Sequence, residues 1–189
     1  IDMLHIAPTA TPPALTIDEA KLHLRVDHDA EDALILGLIV AATAAAEHEI
    51  GRQLVTQTWQ TWLTGWPDAD TLALAQTPVS AVAIKYDDPT GVERTLAGAD
   101  YVLIPGDVPA VIRVSAAWPA LSSAVPYPVR LTVTAGYGTA AQVPEPIRQW
   151  IKARLGTMYL QREAHIVGAS VADTPYVDRL LDRYRTWRA

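Results

Sequence analysis

The chain has 189 residues, half of them hydrophobic and 19% charged. That balance excludes a disordered chain, and the length suits one domain, or one domain with an insertion. Cysteine is absent, which excludes disulfide scaffolds, zinc–thiolate sites and thiol catalysis. The net charge of −6 has the wrong sign for a general nucleic-acid binder, which gathers cations against phosphates.

Residues 1–15 read as an extended arm, because Pro8, Pro12 and Pro13 disfavour regular structure. Such an arm is disordered or lies along a neighbour. It has no basic region, so it does not read as a signal peptide. Thr16 followed by Glu19 is a capping box, and a short helix is expected to about Val26. Asp27-His28-Asp29 breaks it, with Asp29 placed to cap a second helix from about Ala30 to Ile50. Leu34, Leu38, Ala42 and Ala45 step along one face of that helix, and Ile35, Leu36 and Ile39 widen it. A helix apolar nearly all round is expected to be buried on several sides, and its Ala-rich second half permits close approach of a helix or subunit. The apolar run from Ala33 to Ala46 rises only about 21 Å as a helix, short of the roughly 20 residues a bilayer needs, so no membrane partner is expected. Gly51 is a natural stop.

From Leu54 the hydrophobic period changes. Trp59, Trp62 and the threonines around them are strand formers. Val82, Ile84 and Tyr86 alternate with polar or small residues, as do Val129, Leu131, Val133 and Ala135. Asp87-Asp88-Pro89-Thr90-Gly91 reads as a solvated hairpin turn. Residues 54–137 are therefore expected to form five or six short antiparallel strands. Helix returns at Pro146, a first-turn proline, with Ile147, Trp150, Ile151, Leu155, Met158 and Tyr159 in one stripe. After a loop from His165 to Asp173, a last helix from Thr174-Pro175 is expected to bury Val177, Leu180, Leu181 and Tyr184, with Arg179, Arg183, Arg185 and Arg188 making it basic. Residues 1–53 carry nine acids against three bases, and residues 144–189 five against eight. An acidic head and a basic tail suit contact between copies, or two different partners.

Candidate chemistry is sparse. His23 and Asp27 are four apart, and with His28 they are the densest ligand-like cluster; a small metal-dependent hydrolase is the alternative they support. A solvated turn between helices accounts for the same residues. Gly136-Tyr137-Gly138 follows a strand but lacks the third glycine and the Lys-Ser/Thr of a phosphate loop, so it reads as a turn. Ser115, Ser122, Ser123 and Ser170 lie in no nucleophile-elbow context, and nothing pairs His165 with a nucleophile. Asp87 and Asp88 sit in a turn, a poor place for acid–base work. Trp59 and Trp62 fall on opposite faces of one strand and cannot make one stacking platform, while Trp66 and Trp118 each precede a proline.

The run from Leu15 to Leu54 resembles the N-terminal signature of phage head–tail connector, or adaptor, proteins. The resemblance is carried by Leu15, Glu19, Ala20, Lys21, His23, Leu24, Arg25 and Val26, then Gly51-Arg52. It continues in Thr56 to Trp59, Pro78 to Val82, Ile84 to Tyr86, Asp100-Tyr101, Ala135 to Tyr137, Val143 to Ile147 and Arg162-Glu163. The tail departs from the family pattern at Asp182-Arg183, where a small residue and a proline are expected. The resemblance implies an α+β chain: a helical bundle of N-terminal helices (16–53) and C-terminal helices (144–189), with an inserted antiparallel β region (54–143) and the arm 1–15. It implies a virion part of a phage or gene transfer agent, not an enzyme, with no cofactor. That part is a ring of about twelve copies, made in the bacterial cytoplasm, which joins the portal protein to a stopper or tail-completion protein. Double-stranded DNA passes through its lumen. By the same analogy Arg179, Leu180, Leu181, Arg183, Tyr184, Arg185 and Trp187 are expected to dock on the portal.

Overall fold

The computed structural model describes residues 2–6, 8, 12–106, 111–114, 117–161 and 175–186. The expectations that fall on Ser115, Arg162-Glu163, His165, Ser170, Trp187 and Arg188 lie outside these residues. The chain is α+β and divides into two compact units, one of residues 1–10 and 56–136, the other of residues 11–55 and 137–187.

The first unit is two antiparallel sheets. Its strands are β1 (Met3–Ile6), β2 (Gln57–Leu63), β3 (Thr71–Ala73), β4 (Val79–Asp87), β5 (Glu93–Thr95), β6 (Tyr101–Ile104), β7 (Val111–Val114) and β8 (Val129–Ala135). The larger sheet runs in the order β1-β2-β8-β4-β5 and the smaller in the order β3-β7-β6. In β8 every second residue is buried, the period-two pattern seen in its sequence. Leu131 stands opposite Thr61 on one side and Ile84 on the other. Leu63, Ile84, Val129, Leu131 and Val133 of the larger sheet share one core with Leu72 and Ile112 of the smaller. Seven strands lie between Gln57 and Ala135, more than the five or six expected. The additional pieces are very short (β3 and β5 have three residues each), below the length at which alternation can be read.

The N-terminal arm is not all irregular. Met3 to Ile6 pair with Leu63 to Gln60 at the edge of the larger sheet, and all four residues are exposed. The nearest proline is Pro8, so nothing in these four residues removes a backbone donor.

The second unit is helical. It contains α1 (Ile17–Leu24), α2 (Asp32–Ile50), α3 (Glu145–Leu160) and α4 (Pro175–Asp178). The capping box of α1 is complete: the Thr16 hydroxyl accepts from the Glu19 amide at 3.2 Å, and the Glu19 carboxylate accepts from the Thr16 amide at 3.0 Å. Gly51 ends α2 at φ +68°, where its amide donates to Glu47. Asp29 does not cap α2; its carboxylate takes the Lys21 ammonium at 2.5 Å, and Lys21 also reaches Asp32 at 3.0 Å. One lysine thus ties α1 to the start of α2. The core of the unit gathers Leu15 and Ala20 with Ile35, Ile39, Ala42, Ala46 and Ile50 of α2, and Ile147, Trp150, Ile151 and Leu155 of α3. By length and apolarity α2 is sufficient to cross a membrane, with one third of its residues buried in the protein.

The expected last helix is not continuous. A single turn, α4, is followed by a 3-10 turn, Asp182–Tyr184. Between them the chain bends so that Leu181 enters the core, fully buried.

Candidate interaction surfaces

The residues that suggested chemistry are not gathered at one place among the described residues. Among the described residues no three His, Asp or Glu side chains come together as a metal centre does. His23 stands on α1 beside Gly156 of α3, its Nε2 3.6 Å from where a Cβ on that glycine would lie. Asp27 and His28 are exposed in the turn after α1. The Gly136 amide donates to Pro78 and the Tyr137 amide to Leu54, at 2.9 and 2.8 Å. Those donors are therefore committed to carbonyls and do not cradle a phosphate. Thr139 and Gln142 form a reciprocal cap on the 3-10 turn Ala140–Gln142, against which a side chain at Gly138 would collide.

The hairpin turn after β4 is more than solvated carboxylates. Asp88 accepts from the Thr90 amide and hydroxyl and the Val92 amide, and takes the Arg94 guanidinium at 2.9 Å. The Thr90 hydroxyl, Arg94 and the Val92 amide hold its carboxyl well below the usual carboxylate range. Asp87, expected in solvent, is only 5% exposed. Arg130 on β8 grips it with both terminal nitrogens, at 2.6 and 3.2 Å, and also reaches Glu93 at 2.9 Å. Lys85 completes the cluster with Glu93 at 2.7 Å, and the Arg130 guanidinium lies 6.0 Å from the Trp62 ring centroid. Lys85, Arg130, Glu93, Gln60, Trp62 and Thr132 line a shallow hollow of this sheet. Strand registry builds it, since Arg130 stands opposite both Lys85 and Trp62. Sequence spacing conceals it, because its members are far apart in the chain.

Three of the tryptophans serve the fold. Trp66 and Trp118 stack with ring centroids 4.4 Å apart, and their indole N–H groups donate to Pro119 and Ala69 carbonyls. Trp150 is buried and donates to Asp178.

The helical unit carries two open surfaces. One is the outer face of α2. The sequence predicted burial on several sides; instead Ile35, Ile39, Ala42, Thr43, Ala46 and Ile50 are buried, while Ala33, Leu34, Leu36, Gly37, Val40, Ala41 and Ala44 are exposed. The buried face is therefore displaced from the Leu34–Leu38 stripe expected, and Leu38 is half-buried. The other surface is a groove lined by Glu19, Leu22 and His23 of α1 and Gln149 and Lys152 of α3. Arg148 on α3 bridges to Glu19, which lowers the Glu19 carboxyl below its ordinary value together with the larger contribution of the Thr16 amide.

Of the residues expected to dock on a partner, six are described, and they differ in exposure. Leu181 is core, and Leu180 and Tyr184 pack against that core. The bend after α4 turns Leu181 inward, while Leu180 and Tyr184 stay half-buried and Tyr176 is exposed. Arg185 is held by Glu49 at 3.3 Å, and the Tyr184 carbonyl accepts from the Arg52 side chain at 2.6 Å. Arg179 and Arg183 remain exposed. Trp187 lies outside the described residues.

The described surfaces are thus a helical unit with two open faces and a β unit with one ion-paired cluster around Arg130. Residues 14–89 match the family of phage gp6-like head-tail connector proteins. Over 98% of its length the chain is similar to a protein in the neck of an empty gene transfer agent (GTA) particle computed with C6 symmetry, at 29% identity and a TM-score of 0.82, covering 97% of that protein. The same identity, coverage and TM-score hold for a chain in the virion of a native gene transfer agent particle. In the neck of a native GTA particle computed with C12 symmetry, a chain matches at 28% identity and TM-score 0.78, with the same coverage of both chains. No curated protein matches. The family match covers the helices α1 and α2 and the strands β2 to β4, and the likeness to the neck proteins extends over both units.

Proposed function

We propose that this chain is a ring subunit of a head–tail connector. In this reading about twelve copies form a ring at the head–tail interface of a virion, between the portal vertex and a stopper or tail-completion protein. Double-stranded DNA passes through its channel without being gripped. The observation that carries the reading is the likeness along nearly the whole chain, at 29% identity, to proteins of GTA particle necks, described with C6 and C12 symmetry. A 76-residue family match could mark a shared module alone; shared structure over both units supports a shared role.

In this reading the helical unit forms the body of the ring. The net charge of −6 suits a channel that must let a polyanion slide. Portal docking falls to the exposed Arg179 and Arg183, since Leu181 beside them is buried and Leu180 and Tyr184 pack against the core. No catalytic role is assigned. The hydrolase alternative needs three ligands in one place, and the described residues bring no such group together.

The test is the particle mass of the chain alone and mixed with the portal ring of the same particle. The expected result is portal plus about twelve copies, the symmetric closed ring. A persistent 20.5 kDa species that leaves the portal unchanged would overturn the reading.

A further inference from the structure

β1 is the last strand of the larger sheet, and among the described residues no strand pairs with its other side. The Thr64 amide donates to the Asp2 carbonyl, which sets the phase of the β1–β2 ladder. In an antiparallel pair alternate residues exchange both backbone bonds, so Leu4 and Ile6 turn their backbone groups to Trp62 and Gln60 of β2. The backbone N–H and C=O groups of Met3 and His5 therefore face the open side. Their side chains lie on the inner face of the sheet with Leu63 and Thr61, where His5 Nδ1 is 3.0 Å from the Thr61 hydroxyl.

Native sheets blunt such edges with charge, proline or very short strands. The opposite edge of this sheet is blunted in that way: β5 has three residues, with Glu93 tied to Lys85 and Arg130, and Arg94 tied to Asp88. Met3-Leu4-His5-Ile6 holds no proline, lysine, aspartate or glutamate, and Met3 and Leu4 are 46% and 43% exposed. A pocket opens beside the same edge, lined by Met3, His5, Leu63, Leu72, Leu74 and Leu131. It lies where β1 meets β3, itself the last strand of the smaller sheet. Its free volume of about 40 Å³ is room for about three water-sized groups, the three carbons of a valine side chain.

A row of unpaired backbone groups specifies what covers it, which is another extended backbone. Strand addition takes its affinity from main-chain bonds and its specificity from pockets for alternate side chains, and this edge presents both. We infer that β1 receives an extended segment of a different protein, which pairs with Met3 and His5 and places a branched aliphatic side chain in the pocket. A second copy of this chain is a poor donor. β1 set against β1 would be a two-fold contact, which joins copies only in pairs. Of the other edge strands, β5 is charged and β6 turns Tyr101 and Leu103 to its own core. The inference rests on the connector reading for one thing, that the chain works inside a particle of several proteins.

The chain has two methionines, Met3 and Met158. With Met158→Leu, photo-methionine stands at position 3 alone, and particles that carry the substituted chain are irradiated. The expected product joins position 3 to a peptide of a different protein. Hydrogen exchange gives a second readout. In the isolated chain the Leu4 and Ile6 amides should be protected while those of Met3 and His5 exchange freely; in the particle the latter two should slow at least tenfold. Free exchange of Met3 and His5 in the particle would overturn the inference, and so would a cross-link to a second copy of this chain. Protection of Met3 and His5 in the isolated chain would show the edge already covered and overturn it as well. His5→Pro removes an N–H that the β1–β2 ladder does not use, so Leu4 and Ile6 should stay protected while the cross-link from position 3 falls at least tenfold. An undiminished cross-link would mean contact without strand pairing, against the inference. If the chain is absent from the particle, the connector reading fails and the inference with it; a chain present with Met3 and His5 unprotected fails the inference alone.

Discussion

Arg130 is the residue on which the charges of the β unit converge. It satisfies Asp87, which is nearly buried, while its own side chain is 28% exposed and also serves Glu93. Removing one partner of such a pair strands the other, a cost of about 3–5 kcal/mol when both are buried. Because Arg130 is partly solvated, Arg130→Ala should fall at the low end, a loss of about 3 kcal/mol in urea unfolding, with Arg130→Lys recovering part of it. A change below about 0.5 kcal/mol would show that the pair contributes nothing net. Asp88 makes a pH prediction. Its folded carboxyl titrates below the ordinary value of 3.8 because the Thr90 hydroxyl, Arg94 and the Val92 amide favour the charged form. The stability it contributes is therefore present above pH 3.8 and is lost as pH falls below that towards its folded value. Asp88→Asn should be less stable than wild type at neutral pH, and the gap in thermal midpoint should close only below about pH 4. A gap constant down to about pH 2 would contradict this.

At the scale of elements, α2 sets the terms. Its sequence is apolar all round, yet it buries one face, with Ile39 fully buried and Leu34 exposed. Ile39→Ala should cost about 2–5 kcal/mol of stability in the isolated chain, the usual range for truncating a packed core residue. Leu34→Ala should cost less than about 0.5 kcal/mol. Equal losses in thermal or urea unfolding would mean that the buried face is assigned wrongly. The start of α1, the end of α2 and the start of α3 were legible in the sequence, because Thr16, Glu19, Gly51 and Pro146 act through backbone groups within a few residues. The buried face of α2 was not, since several faces were equally apolar and only the placement of α1 and α3 selects one. The last helix failed for the same reason. Its apolar positions were read correctly as inward-facing, but the chain meets the core by bending at Leu181 instead of lying along it as a helix.

For the whole molecule, the net charge of −6 bears on DNA. A connector channel that passes DNA should not hold it. In about 0.15 M salt the assembled ring should give no shift of linear double-stranded DNA at micromolar concentration, since affinity for duplex DNA comes chiefly from neutralised phosphates. A shift that weakens steeply as salt rises would reveal a basic channel wall and contradict the sliding role. The likeness to GTA neck proteins spans both units, so the role proposed belongs to the two together.

The sequence by itself determined the order of helix, strand and helix, the caps and turns, and the connector resemblance. These reside in local spacing, and local backbone chemistry is expressed wherever the chain goes. Tertiary structure alone decided that Met3 to Ile6 join the larger sheet and that Asp87 is buried under Arg130. It also decided that α2 keeps one apolar side open and that Leu181 belongs to the core. Each of these depends on groups far apart in sequence. Pairing across strands and packing between helices bring them together, and no periodicity within one segment encodes its neighbour.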